Sequence, residues 1–580
     1  MNKLSFHDTA ERFRERLGKL YPDQVDQCLN RLSMLIGRYG IGYSHGSEKP
    51  LWSEKDAVLI TYGDTVRSHD ANPLQTLRRF ATRHFSGAFS TIHILPFYPY
   101  SSDDGFSVIN YRAVDPELGD WRDVNALKDH YDLMFDWVLN HVSAKSTWFR
   151  DYRNCIQPYR NYFLEEDPET DLSQVTRPRT SPLLTPVKTK AGIRHVWSTF
   201  SADQIDLNWS HPDVFFEMLD VLFGYIANGA RIVRLDAVAF LWKKIGTTCL
   251  HLDETHEVIR LIRDILHVAA PGVIILTETN VPHEENISYF GTGDEAHMVY
   301  QFTLPPLLLH GLLKGSAEHF SHWAAALPEL PPGCTFFNFT ASHDGIGVRP
   351  LEGILPPEEI DFLGEAVKQR GGQLSYRTHP DGSKSVYEMN VTYYSSLSSH
   401  GGEAPEVGES RFLCSQLVAM SLKGIPGIYF HSLTATENDY QGVEATGIPR
   451  RINRRKWDEE TLERLLKDSS THHHRIFFQL LEILRRRNRL DAFHPEASQE
   501  VLDLDPRVFA IRRRAVDSDN TVLCLANFSQ KSISLDVTKY LSADNLHELI
   551  SDQPQELPTH PITLAPTQVL WFSFKAPSGN

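Results

Sequence analysis

The sequence is poor in the features that would send it into a membrane or onto nucleic acid. None of its apolar runs is long enough to cross a bilayer. Its 58 Lys and Arg stand against 74 Asp and Glu, and the resulting charge of −16 leaves no basic stripe to track a phosphate backbone. That acidic excess is read as ordinary solubility. Cysteine is scarce too, with six residues, widely spread and without a CxxC pair. Buried free thiols of a reducing compartment fit that spread better than a disulfide framework or a zinc site. The start, Met1-Asn-Lys-Leu-Ser-Phe-His-Asp8, lacks the apolar core of a secretory leader, so a cytoplasmic location is expected. The histidine run His472-His-His474 falls on a predicted helix. Successive side chains there point apart, so it is read as surface and not as a metal site.

At 580 residues the chain exceeds what one hydrophobic core supports, and several domains are expected. Eight short apolar runs recur between helix-patterned stretches, at 57–62, 91–97, 133–139, 230–236, 273–278, 298–303, 335–342 and 424–430. Runs without polar alternation fit strands buried on both faces. The pattern predicts an α/β fold, a (β/α)8 TIM barrel with its active face at the strands' carboxyl ends. Residues 5–40 have helical spacing and are expected as lead-in helices within a first barrel part, 1–141. Two stretches break the alternation: 142–212, rich in Pro, Thr, Asp and Arg, and 345–392, with Gly371-Gly-Gln-Leu-Ser375. Irregular stretches that long inside a compact domain are usually functional, so both are read as inserted loop domains, after strands 3 and 7. The rest of the barrel is then 213–344 and 393–496. From 497 to 580 short alternating strands predict a C-terminal antiparallel β-sandwich.

The strand ends carry the chemistry. Asp136-Trp-Val-Leu-Asn-His141, Arg231-Ile-Val-Arg-Leu-Asp236, Leu276-Thr-Glu-Thr279 and Ser342-His-Asp344 each close an apolar run with carboxylate, imidazole or guanidinium. Three acids above one barrel, Asp236, Glu278 and Asp344, are the set that glycoside chemistry needs. Arg234, two residues before Asp236, shares its strand face and can hold that carboxylate ionised.

In this order the motifs resemble the conserved regions of glycoside hydrolase family 13, the α-amylase family. Longer segments resemble its sucrose phosphorylase subfamily: His93-Ile-Leu-Pro-Phe-Tyr-Pro-Tyr-Ser-Ser-Asp-Asp-Gly-Phe106, Arg177-Pro-Arg179, Leu304-Pro-Pro-Leu-Leu-Leu-His310, His343-Asp-Gly-Ile-Gly347 and Ile452-Asn-Arg454. Ser101-Ser-Asp-Asp-Gly-Phe106 and Thr277-Glu-Thr-Asn-Val-Pro-His283 are most similar to the phosphorylases of glucosylglycerate and glucosylglycerol. The resemblance implies Asp236 as nucleophile and Glu278 as acid/base, with their carboxyl groups roughly 5 to 5.5 Å apart for a retaining reaction. It implies Asp344, His343 and His141 on the hydroxyls of one glucose. Asp103 and an arginine near Arg450 would grip the far edge of that sugar, and Phe106 would wall it.

A phosphorylase differs from a hydrolase in bringing a phosphate dianion beside these carboxylates, which demands fixed positive charge. Arg177 and Arg179 can supply it, because forked guanidinium donors match oxyanion geometry. In the second insertion Tyr387-Glu388 replaces the subfamily's Tyr-Gln. An ionised Glu388 would repel phosphate but accept hydrogen bonds from a polyol, which favours glycerate or glycerol over fructose. The expected substrates are therefore a small α-glucoside and inorganic phosphate. Sucrose phosphorolysis, or glucosidase and transglucosidase action with water or sugar acceptors, is the alternative. A catalytically silent scaffold would have lost a carboxylate, and all three are present. Calcium, common in the amylases, has no clear ligand cluster, and the chemistry calls for no metal or organic cofactor.

Overall fold

Each of the eight apolar runs becomes a strand, and each strand lies beside the next. The computed structural model describes residues 6–40, 50–179, 181–378 and 384–576. In it β1 (Val58–Thr61), β2 (Thr91–Ile94), β3 (Asp132–Val138), β4 (Ala230–Asp236), β5 (Ile274–Thr277), β6 (Met298–Tyr300), β7 (Thr335–Phe339) and β8 (Ile425–Tyr429) close into one barrel. All eight pairings are parallel, including β8 back to β1. β6 and β7 are shorter than the runs suggested. Thr303 already introduces the helix Leu304–Lys314, and residues 340–344 leave the wall and pass over the barrel mouth. Lead-in helices Phe6–Leu20 and Val25–Tyr39 dock through charge: Arg16 reaches Asp264 (2.5 Å) and Glu257 (3.1 Å) on the helix Asp253–Ala269.

After β3, His141–Ser143 pairs antiparallel with Gln204–Asp206, and Leu184–Thr189 forms a hairpin with Gly192–Trp197. The base of this segment is pinned by one buried cation. The Lys243 ammonium donates to Asp206 Oδ2 (2.7 Å), Asn140 Oδ1 (2.6 Å) and the Phe240 carbonyl (2.5 Å), so three oxygens from three parts of the chain converge on it. After β7, Ile346–Gly347, Lys384–Asn390 and Gln373–Thr378 form an antiparallel sheet beside the helix Pro357–Gln369.

The C-terminal strands form a six-stranded antiparallel sheet, with a two-stranded ribbon of Ile533–Leu535 and Ile562–Leu564. Alternation places Val508, Ala510, Leu523, Leu525, Phe572 and Phe574 in a small core with the ribbon. The intervening Phe509, Ile511, Val522, Cys524, Ala526 and Trp571 join the main core instead, so both faces of the sheet are buried. No helix of the described residues is long and apolar enough to cross a membrane. The six cysteines are free thiols.

The histidine run differs from expectation. It opens the helix His472–Arg487 and is packed there, not solvated. His473 is buried with Nδ1 2.6 Å from the Thr434 carbonyl, His472 stacks on Tyr394, and His474 Nδ1 lies 2.7 Å from the Leu466 carbonyl. Its hydrogen bonds go to backbone carbonyls and one ring stacks on an aromatic neighbour.

Candidate active site

At the barrel mouth, Asp236 closes β4 and Glu278 follows β5 by one residue, and both line one pocket with Asp344. Beneath them Arg234 is almost fully buried. Its Nη1 donates to Asp136 Oδ1 (2.5 Å) and Asp236 Oδ1 (2.7 Å), while Nη2 lies 3.7 Å from Glu278 Oε2. Asp136 is held on its other side by His93 Nε2 at 2.6 Å. One guanidinium thus faces three carboxyls, and all three cannot ionise cheaply away from water. Burial works against Asp136 ionising, but His93 and Arg234 outweigh it and hold its pKa down. Burial pushes Asp236 up to about 6 against the pull of Arg234, and Glu278 up to about 7 with the neighbouring Asp236 and Asp344 charges adding to the rise. Glu278, with the longest contact to Arg234, is raised the further of the two. Ala237, in the left-handed region at φ 50°, turns its N–H onto Glu278 Oε2 at 2.9 Å and fixes that side chain.

Asp344 behaves oppositely. Its burial favours the acid form, yet Arg450, then His343 and Arg454, hold the carboxyl well below the usual range. Arg450 Nη1 donates to Asp344 Oδ1 at 2.5 Å, and Arg454 Nη2 lies 3.8 Å from the same oxygen. The Phe106 ring stacks on the imidazole of His343 (centroids 4.6 Å, 6° between planes), and its carbonyl lies 2.9 Å from His141 Nε2. Burial lowers the pKa of both histidines, so both are neutral imidazoles at the pocket wall.

Of the residues singled out from sequence, Asp103, Phe106, His141, Arg177, Arg179, Asp236, Glu278, His343, Asp344, Tyr387, Glu388 and Arg450 all line this pocket, with Arg234 just below it. Asp103 has Arg454, one of the arginines near Arg450, at 3.9 Å, and Asp104 takes Arg454 (2.6 Å) and Arg451 (2.8 Å). One detail departs from expectation. Glu388 is not a free negative charge. Arg450 Nη2 and Nε donate to its two oxygens at 2.8 and 3.2 Å, so the repulsion expected against phosphate is largely cancelled.

Sequence reasoning passed over Arg349 and Arg377, which join the wall from the second insertion, and Gln204 and Asn280. Arg349 lies two residues past the His343-Asp-Gly-Ile-Gly347 motif, and that proximity was the available signal. Arg377 carried none.

The central part of the chain, residues 88–324, matches the α-amylase catalytic domain model. The glucosylglycerate phosphorylase of Escherichia coli (strain K12) is 45% identical over 528 residues, covering 90% of this chain and 93% of that one. The chain belongs to the α-amylase family, glycoside hydrolase family 13. Within that family it sits among the phosphorylases. A glucosylglycerol phosphorylase of Marinobacter adhaerens is 28% identical over 76% of this chain and 88% of its own length. The crystal structure of sucrose 6F-phosphate phosphorylase from Thermoanaerobacter thermosaccharolyticum superposes with a TM-score of 0.72 at 27% identity, over 83% of this chain and 96% of that one.

Proposed function

We propose that this protein is a retaining α-glucoside phosphorylase acting on glucosylglycerate. It converts that glucoside and inorganic phosphate into α-glucose 1-phosphate and glycerate, reversibly. The observation that carries the reading is the guanidinium-lined wall, Arg177, Arg179, Arg349 and Arg377, facing a buried carboxyl pair. Water needs no such wall. Phosphate does, and so does an acceptor that carries its own negative charge. The 45% identity to a glucosylglycerate phosphorylase, against 28% to a glucosylglycerol phosphorylase, supports the acidic acceptor. The free thiols fit work in a reducing cytoplasm.

In this reading Asp236 attacks the anomeric carbon as the glycosidic C–O bond breaks. Glu278 gives its proton to the departing glycerate oxygen, leaving a β-glucosyl ester on Asp236. Glycerate leaves and phosphate takes its place on the same face of the sugar. A phosphate oxygen then attacks the anomeric carbon, its proton returns to Glu278, and Asp236 departs as carboxylate. Asp344, ionised between Arg450 and Arg454, steadies the positive charge on the ring in both steps.

The test is α-glucose 1-phosphate formation from glucosylglycerate, glucosylglycerol and sucrose, each with phosphate. Strong product from glucosylglycerate and little from the others is the expected result. Free glucose regardless of phosphate would make the protein a hydrolase.

A further inference from the structure

Arg177 of the pocket wall bonds the Ser181 carbonyl, and two further wall arginines, Arg179 and Arg349, like it have no carboxylate within ion-pair distance among the described residues. The other cations are committed: Arg450 to Asp344 and Glu388, and Arg377 to Glu352 at 2.7 Å. Arg349 is the better fixed of the two free groups. It opens the short turn Arg349–Leu351, whose Pro350 and Leu351 are buried. That turn is tied by Val348 N–H to the Tyr387 carbonyl (3.3 Å) and by Leu351 N–H to the Val348 carbonyl (3.0 Å). Just before it, the chain passes so close to the acid/base segment that a Cβ built on Gly347 would lie 2.2 Å from the Asn280 amide. Arg349 is therefore anchored two residues from a point of contact with the segment that carries Glu278.

The Arg349 guanidinium is also short of partners at close range. Its Nε is buried without a hydrogen-bond acceptor. A buried, unsatisfied donor on a charged side chain carries a standing desolvation cost that an anionic ligand would relieve. Its neighbour in the wall is Tyr387, where the positive charges of Arg179, Arg450 and Arg349 meet the negative charge of Glu388. Phosphate and glycerate visit the same face of the sugar in turn, since a double displacement expels one and admits the other there. Arg177 and Arg179, on one short segment, are already a forked site for the dianion. A further unpaired guanidinium on the other insertion, rigidly placed, suits an acceptor with a carboxylate of its own.

We propose that Arg349, beside Tyr387, binds the carboxylate of the acceptor and is the residue that selects an acidic acceptor over a neutral polyol of the same size. This rests on the functional reading above. The Nε–H and a terminal N–H of one guanidinium form a fork matched to a carboxylate, and the Tyr387 hydroxyl is free to donate a third hydrogen bond.

The experiment compares phosphorolysis of glucosylglycerate and of glucosylglycerol by the same preparations of wild type, Arg349→Gln and Arg349→Lys. The glucosylglycerate-to-glucosylglycerol ratio of kcat/KM is expected to fall about tenfold or more in Arg349→Gln, through KM, as loss of a charge-assisted pair requires. Arg349→Lys is expected to recover part of it. The ratio is independent of the fraction of folded enzyme, and the lysine variant keeps the test open if the glutamine variant folds poorly. A ratio within twofold of wild type in Arg349→Gln overturns the inference. So does an equal loss on both donors with a matching rise in the KM for phosphate, which would give Arg349 to the dianion. Wild type that makes no glucose 1-phosphate from glucosylglycerate sinks the functional reading, and this inference with it. Wild type that does, with an unchanged ratio in the variants, sinks this inference alone.

Discussion

On the glucosyl side of the pocket each charged group is tied to another: His93 to Asp136, Asp136 and Asp236 to Arg234, Arg450 to Asp344 and Glu388. On the acceptor side Arg179 and Arg349 have no such partner among the described residues, and Arg177 bonds only the Ser181 carbonyl. The first wall is made of barrel strand ends, joined by Arg450 after the eighth strand and Glu388 of the second insertion, and its charges are already paired with one another. The second comes from the two insertions and has donors to spare. Chemistry common to every α-glucoside sits on the rigid side, and the choice of nucleophile and acceptor sits where charge is left uncompensated.

Breaking the rigid side has the larger effects. Glu278→Gln should lower kcat on the natural glucoside by about 10²- to 10⁴-fold. Much less is expected to be lost on α-glucosyl fluoride, whose leaving group needs no proton. A similar loss on both donors would remove Glu278 from the acid role. Arg234→Met leaves Asp136 with His93 alone and the buried Asp236 with no cation in contact. It should cost about 3–5 kcal/mol of stability in urea unfolding, and a shift under 1 kcal/mol would mean the site hydrates and relaxes.

On the open side, Arg177→Ala with Arg179→Ala should raise the KM for phosphate by about tenfold or more while that for the glucoside moves little. Equal shifts in both would place the dianion elsewhere. The smallest effect is on pH dependence. Asp236 must be ionised, so activity falls as pH drops through about 6. Glu278 must carry its proton, so activity falls as pH rises through about 7. The profile of kcat/KM should be a narrow bell between these values, and a plateau reaching pH 9 would contradict the acid assignment.

The same division separates what the sequence disclosed from what it did not. Asp236 and Glu278 end apolar strands inside long motifs, and strand period and barrel topology lead to them directly. The acceptor side resisted such reading because its residues meet only in three dimensions. Glu388 looked like a bare carboxylate because nothing local announces that Arg450, far along the chain, takes both its oxygens. In the cluster 450–455 four arginines are equivalent by spacing, and only packing sends Arg450 to Asp344 and Arg454 to Asp104. Helix geometry alone makes His472–His474 a surface run, but the start of that helix is covered by Tyr394 and the Thr434 carbonyl.

Lys243 has a consequence for the environments in which the pocket stays assembled. The junction it fills, between Asn140, Asp206 and the Phe240 carbonyl, is a cage of oxygens of the sort a divalent ion occupies by exchange with solvent. A solvent ion is present only in proportion to its concentration and departs whenever a stronger chelator competes. A cation grown on the polypeptide has no dissociation constant and no competitor. The base of the segment that bears Arg177 and Arg179 is thereby held by a cation that synthesis supplies.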